Sequence, residues 1–483
     1  MEELDIAAVT KRSIHGVFAL VTRTFIIQLV SFIVAIFLGI FLSTTAYGIY
    51  FVVSAVIAFL SYFSDIGLAA ALIQKKEQLT QEDLTTTFTM QQILVVFAVI
   101  IAFIASPFIN NFYKLPPGGI QLFQALIIAF FLSSLKTIPS VILERNLQFE
   151  KLVIPQIVET LFFNITVLVL AIKGFGVSSF TYAVLARGLS GLIAIYIISP
   201  WRIRLGISTN IAKKLLSFGI PFQTNSILAL IKDDLLIAYV GRVLPLSQIG
   251  YIGFAQKWAF TPLRLIMDNI IRITFPSFSR LQNEKEHLTI GVEKSLFALT
   301  LLIFPSLAGL VILAPDFIQI VPKYQKWEPA LLSLSLFAVN ACLSSLSTPL
   351  TNALNAIGKI KISLYLMVFW TIATWVITPL FITLFGFNGF AGASAFIALS
   401  VVLVVYLTKK YISFSISVIK VPTIATIVMG SVLVLLLSSL PVSIISVIIK
   451  ILIGIAVYFG IVFFLAKDQL VKDILLIRSQ FKN

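Results

Sequence analysis

The chain is written as long apolar runs separated by short polar ones. Windows of about 20 apolar residues, enough to cross hydrocarbon as a helix, recur near 14–41, 47–72, 87–112, 119–143, 153–172, 178–198, 213–240, 248–276, 293–320, 328–356, 362–385, 389–407, 420–439 and 443–465. Gly, Pro and charge clusters mark their ends, and no stretch between them is long enough for a folded extramembrane domain. The pattern predicts an all-α polytopic membrane protein with about 14 transmembrane helices.

One run is interrupted by charge. Tyr251 to Leu281, YIGFAQKWAFTPLRLIMDNIIRITFPSFSRL, carries Lys257, Arg264, Asp268 and Arg272. At 3.6 residues per turn the four share one helical face, in a stripe roughly 22 Å long at 1.5 Å per residue. Charges at such depth cost several kcal/mol against lipid, so they turn toward a bundle interior or a watery cavity. The stripe therefore reads as one wall of a polar path, or else as a triad that neutralises itself, because Asp268 lies four residues from both Arg264 and Arg272. The triad leaves Lys257 without a partner on its own helix.

Other spans also carry polar residues. Arg23 and Gln28 lie in the first, and Asp65 near the cytoplasmic end of the second. Lys232, Asp233 and Asp234 are consecutive in the seventh, and three adjacent helical residues cannot all face one cavity. Lys136, Glu159 and Arg187 lie in the fourth, fifth and sixth. Lys136 reads as a snorkelling or interhelically paired side chain, Arg187 equally as structural or as cavity-lining, and Lys450 in the last span as structural. His15 and His287 are far apart and support neither a dyad nor a metal pair.

Composition narrows the function. The 483 residues are 59% hydrophobic and 11% charged, with a mean hydropathy of +1.05. A single cysteine, Cys342, excludes an intrachain disulfide and a Cys-based metal cluster. No P-loop, nucleophile elbow or metal-binding helix motif is present, so neither ATP hydrolysis, an enzymatic reaction, a metal nor a cofactor is expected. The net charge of +15 sits mostly in short loops, where it signals topology and not nucleic acid. Of the alternate loops, one side holds only Lys114, Lys173, Arg242, Lys323 and Lys326, and the opposite side holds the rest of the loop cations. Both termini are accordingly expected in the cytoplasm. The N-terminus, MEELDIAAVTKRS, lacks a signal-peptide pattern, and the first span is expected to stay in the mature protein.

A repeat runs at an offset of roughly 200 residues. Gly39, Leu42 and Gly48 of LGIFLSTTAYGI match Gly241, Leu244 and Gly250 of VGRVLPLSQIGY; Asp65 corresponds to Asp268 within a residue, and GFGV at Gly174 to GFNG at Gly386. Two pseudo-symmetric six-helix lobes, residues 1–205 and 206–410, followed by two additional helices and a tail in 411–483, account for the pattern. Pro221, Pro262, Pro276, Pro305, Pro349 and Pro379, in or beside spans, provide kinks of the kind alternating access uses.

FGIPFQTNSILALIKDDLLIAYVG, QIGYIGFAQKWAFTPLRLIMDNIIRITFPSFSRLQ, FPSLAGLVILAPDFIQIV and PKYQKWEPALLSL, with AYGIYFVVSAVIAFLSYFSDIGLAAALIQ and VILERNLQFEKL in the first half, resemble the Wzx-type polysaccharide flippases of the multidrug/oligosaccharidyl-lipid/polysaccharide exporter superfamily. FP-x-FSRLQ, Pro276 to Gln282 with the phenylalanine before it, is the most specific piece. The resemblance implies a MATE-like fold in the plasma (inner) membrane whose first, second, seventh and eighth helices line a central cavity. It implies transfer of undecaprenyl-diphosphate-linked oligosaccharide from the inner to the outer leaflet, in company with membrane lipids and the polymerase and ligase of the same pathway.

On this reading Arg23, Lys257, Arg264, Arg272 and Arg187 are the cavity residues for the diphosphate, since Arg suits bidentate contact with phosphate. Asp65, Asp233, Asp234 and Asp268 are the candidates for coupling to protons or sodium. The competing readings are a lipid-linked peptidoglycan-precursor flippase and a multidrug cation antiporter of the same fold, the latter disfavoured by the basic lean of the in-span charges. A glycan polymerase would need a large catalytic loop that the sequence does not have.

Overall fold

A computed structural model describes residues 24, 26–62, 67–75, 77–435 and 440–480, apart from the side chains of 220–226, 272–273 and 467–480. Every regular element among these residues is helical. In order the α-helices are α1 (Ile26–Phe41), α2 (Thr44–Tyr62), α3 (Leu68–Gln74), α4 (Gln81–Tyr113), α5 (Gly119–Ser134), α6 (Thr137–Arg145), α7 (Phe149–Ile172), α8 (Ser178–Ile198), α9 (Thr209–Leu230), α10 (Leu236–Val243), α11 (Leu246–Arg280), α12 (Lys285–Ile320), α13 (Leu331–Ala356), α14 (Ile360–Phe385), α15 (Asn388–Ala398), α16 (Val401–Lys409), α17 (Lys420–Leu435) and α18 (Ile444–Gln480).

Among the described residues ten helices are long and apolar enough to cross a membrane, or eleven if α5 and α6, bent by 41°, make one span. The chain is a multi-pass membrane protein. Eleven is fewer than the 14 expected, and the shortfall has a pattern. The missing runs are the first, of which the described part is α1; the seventh, broken by a π turn at Ile231–Leu235 between α9 and α10; and the eighth, α11, which has ample length at 35 residues and lacks only apolarity. These three runs hold Arg23, Lys232, Asp233, Asp234 and the charges of the stripe.

The chain forms two compact units, residues 1–250 and 251–483. In the first, α7 and α8 form the most extensive helix pair, and α5 packs on α8. One end is tied by polar bonds that follow from short local signals. Thr80 and Asp83 cap α4 reciprocally, satisfying N–H groups that a helix start leaves open. Lys75 Nζ reaches Asp83 at 2.6 Å, and the Arg145 guanidinium donates to the carbonyls of Leu72 at 2.7 Å and Glu77. Beneath them Leu68, Leu72, Phe88, Ile138 and Trp201 make a buried cluster.

The same unit contains a close crossing of the two repeat motifs. A Cβ on Gly48 would stand 1.8 Å from the Leu246 carbonyl oxygen, and one on Gly250 would stand 1.9 Å from the Thr44 carbonyl oxygen. Gly48 and Gly250 are 202 positions apart, as are Thr44 and Leu246. Each glycine thus occupies in its own motif the place the other occupies in the second, and only a residue without Cβ permits backbones so close.

In the second unit α12 packs against α13 and α17, and α17 pairs with α18. Met429, Leu433, Tyr458 and Val462 form their shared apolar core. Lys450 of α18 is also buried, 6% exposed, and its ammonium bonds Asp316 of α12 at 2.5 Å. The structural reading of Lys450 is what the packing displays: a buried charge meets its opposite.

Candidate functional site

In the second unit, α11 has two unlike faces. Ala255, Ala259, Leu263 and Met267, four residues apart and buried, form the packed side, as i, i+4 spacing requires. Leu263 and Met267 join Leu299, Ile303 and Leu307 of α12 and Ala338 and Ala341 of α13. Higher up, Phe254 stacks on Trp327 with centroids 4.1 Å apart. Lys257, Arg264 and Asp268 fall on the other side and are exposed. They are not sealed into the packing of their own unit. Arg264 and Asp268 make no ion pair with each other or with any other described side chain. The self-neutralising triad is thus not closed on its Arg264 side, while the Arg272 side chain lies outside the described residues.

The remaining in-span candidates separate. Arg23 and Asp65 lie outside the described residues. In the first unit, Asp233 is exposed and takes the Lys232 ammonium at 2.8 Å. Asp234 is half-buried. The ion pair among these three charges forms between sequence neighbours and not between helices. Their backbone is the π turn Ile231–Leu235, an insertion that interrupts the i to i−4 ladder and recurs at functional sites.

Arg187 joins a cluster that sequence reading had dispersed over three spans. Glu159 of α7 receives Lys136 Nζ at 2.5 Å and stands 3.6 Å from Arg187 Nε. Lys136 and Glu159 are 15% and 12% exposed, Arg187 56%. The carboxylate fits because position 191 on α8 is glycine: a Cβ there would meet Glu159 Oε1 at 2.1 Å and its Cγ at 2.3 Å. These side chains, with Thr137, Gln156 and Thr160, line a cavity of about 490 Å³, within the span of small-ligand sites, roughly 300–1,000 Å³. Glu159 was not among the expected site residues. Its signals were its mid-span position and a glycine on the neighbouring span: Gly191 faces Glu159, whereas Gly188 packs on Leu132 and Ala129 of α5. Among the described residues no group of three or more His, Cys, Asp or Glu is placed to hold a metal.

The sequence profile of a family described as polysaccharide biosynthesis protein matches residues 37–331. The chain belongs to the polysaccharide biosynthesis protein family. Among relatives of this family member is an uncharacterized membrane protein in the cps region of Klebsiella pneumoniae, 25% identical over 343 residues, 70% of each chain. Another is the lipopolysaccharide biosynthesis protein WzxC of Escherichia coli (strain K12), 25% identical over 334 residues, 67% of this chain and 66% of that one. A third is the teichuronic acid biosynthesis protein TuaB of Bacillus subtilis (strain 168), 25% identical over 309 residues, 62% of each.

Solved structures place the fold of this family member. It superposes on the lipid II flippase MurJ, inward closed conformation, with a TM-score of 0.77 at 15% identity, over 93% of this chain and 99% of that one. An inward-facing multidrug resistance MATE family transporter gives 0.61 at 15%, over 80% and 94%. The fold is MATE-like.

Proposed function

We propose that the protein flips undecaprenyl-diphosphate-linked oligosaccharide, an O-antigen, capsule or exopolysaccharide repeat unit, from the inner to the outer leaflet of the plasma membrane. The observation that carries the reading is the two-faced α11. A helix of 35 residues whose back is fixed by apolar packing, and whose front bears Lys257 and Arg264, without an ion pair among the described residues, followed one turn on by Asp268, supplies a polar track in a chain otherwise built of apolar helices. Fixed cationic donors replace the water around a diphosphate, with Arg giving two parallel bonds, and the barrier falls without covalent chemistry. The lipid-named and polysaccharide-named relatives support the cargo class, and the MATE-like fold supports alternating access.

The finer design belongs to the same proposal. About 14 helices are arranged as lobes 1–205 and 206–410 plus the additional helices of 411–483, with both termini cytoplasmic. Arg23, Arg187 and Arg272 add to the cationic lining, and Asp65, Asp233, Asp234 or Asp268 couples reorientation to a proton or sodium.

Deleting the gene and analysing the lipid-linked glycan tests the function. Full-length repeat unit on its lipid carrier should accumulate on the cytoplasmic face, with loss of the surface polymer. Stalled peptidoglycan precursor would identify the peptidoglycan-precursor flippase instead, and unchanged glycan with lost drug resistance would identify the cation antiporter.

A further inference from the structure

The cavity between α5, α6, α7 and α8 holds four ionisable side chains, Lys136, Glu144, Glu159 and Arg187, and they are unequally occupied. Lys136 is committed to Glu159 at 2.5 Å. Arg187, at 3.6 Å through Nε alone and more than half exposed, makes no side-chain hydrogen bond among the described residues and keeps a guanidinium's five donors free. Glu144 makes no ion pair among the described residues. The buried Gln156 Oε1 on the same wall has no hydrogen-bond partner there either.

Glu159 is already flanked by two cations, so its carboxylate is not open to a metal or sodium ion. With Glu144 included the cavity is neutral, so an anion enters by exchange and not by filling an empty positive field. The loose member is Arg187, and the tight one is Lys136. Glu159 is also placed sterically, since it occupies the space that a side chain at position 191 would take.

Resting on the flippase reading above, we infer that Glu159 is a resident counter-ion. It holds Arg187 loosely through charge until a phosphate group takes the guanidinium fork, while Lys136 retains the carboxylate. Arg187 is the group that touches phosphate, and Glu159 is a positioning residue that limits how tightly the phosphate is held, so that it can leave on the far side. A transporter needs that limit, because a site with both cations free would bind its cargo and keep it.

The full-length protein in phosphatidylcholine nanodiscs, titrated with inorganic pyrophosphate by calorimetry, tests the inference. Glu159→Gln should tighten pyrophosphate binding by roughly tenfold, a size common for coupling between charged groups at neighbouring sites, and slow glycan export in cells. Arg187→Gln should abolish that tightening, leaving whatever binding Lys257 and Arg264 of α11 provide. Unchanged or weaker binding in a well-folded Glu159→Gln, or a tightening that persists when Arg187→Gln is added, overturns the inference and leaves the flippase reading standing. Arg187-dependent tightening in nanodiscs, combined with lipid-linked glycan that is unaffected when the gene is deleted, refutes the flippase reading and keeps the phosphate site. Nanodiscs with phosphatidylglycerol in place of phosphatidylcholine separate the sources: competition with pyrophosphate identifies lipid headgroups as occupants, and its lack identifies the diphosphate cargo. If Glu159→Gln is depleted from the membrane, Lys136→Met with Glu159→Gln removes both ends of the buried bond, and this pair should still bind pyrophosphate through Arg187; its failure to bind counts against the inference.

Discussion

At the scale of single residues the decisive question is whether a charge within a span is spent or available. Lys450 is spent. Removing its partner by Asp316→Ala leaves an uncompensated ammonium in an apolar core, which costs about 3–5 kcal/mol, whereas replacing both with apolar residues of similar size is close to neutral. Membrane abundance should therefore fall sharply for Asp316→Ala and recover in Asp316→Leu with Lys450→Met; a double variant as depleted as the single one would contradict a purely structural pair. Arg264 is available: it is exposed while its helical neighbours Leu263 and Met267 are buried. Arg264→Ala should impair glycan export more than Arg264→Lys does, with both at normal abundance, because lysine keeps the charge and loses only the planar fork. Normal export by the alanine variant would remove the role assigned to Arg264.

Elements were legible in proportion to how local their causes are. The apolar windows of α4, α7, α8, α12, α14 and α17 translate directly into helices because hydrocarbon length and helical rise fix the window. The Thr80 and Asp83 cap follows from residues three apart. Face assignment on α11 was also readable, since Lys257, Arg264 and Asp268 keep one helical phase and the packed Ala255, Ala259, Leu263 and Met267 keep another. What could not be read was partnership. Lys136 and Glu159 are 23 positions apart and Lys450 and Asp316 134 apart; which cation meets which carboxylate depends on how helices pack, and hydropathy is blind to that. The π turn was equally hidden, because it is one residue inserted in an otherwise continuous pattern. It makes a prediction of its own kind: deleting one of the five residues Ile231–Leu235 should restore a regular α ladder, turn α10 by about 100° relative to α9, and abolish export at normal abundance. Export by the deletion variant at the level of the parent would show that the turn is incidental.

For the whole molecule, the charge asymmetry of the loops sets the expected orientation. Reporter fusions after Ser43 and after Asn483 should fall on opposite sides of the membrane, the second in the cytoplasm. Both on one side would overturn the helix count. Ten helices, or eleven spans with α5 and α6 taken as one, pass on length and apolarity among the described residues, and the three runs that do not pass contain many of the in-span charges. An apolarity criterion therefore undercounts the helices that matter most for a polar cargo.

The crossing of Gly48 and Gly250 has a further consequence. Its contacts are isologous: what the first motif does to the second, the second does to the first, as in the interface of a two-fold homodimer. A methyl group added on either side strikes an equivalent carbonyl, at 1.8 or 1.9 Å, so Gly48→Ala and Gly250→Ala should destabilise equally, by about 1–3 kcal/mol each as overpacking does. Once one methyl has forced the backbones apart the second finds the space already open, and the double variant should cost clearly less than the two singles together. Thermal denaturation of the three variants measures this directly. Within one chain, the crossing preserves the grammar of a dimer.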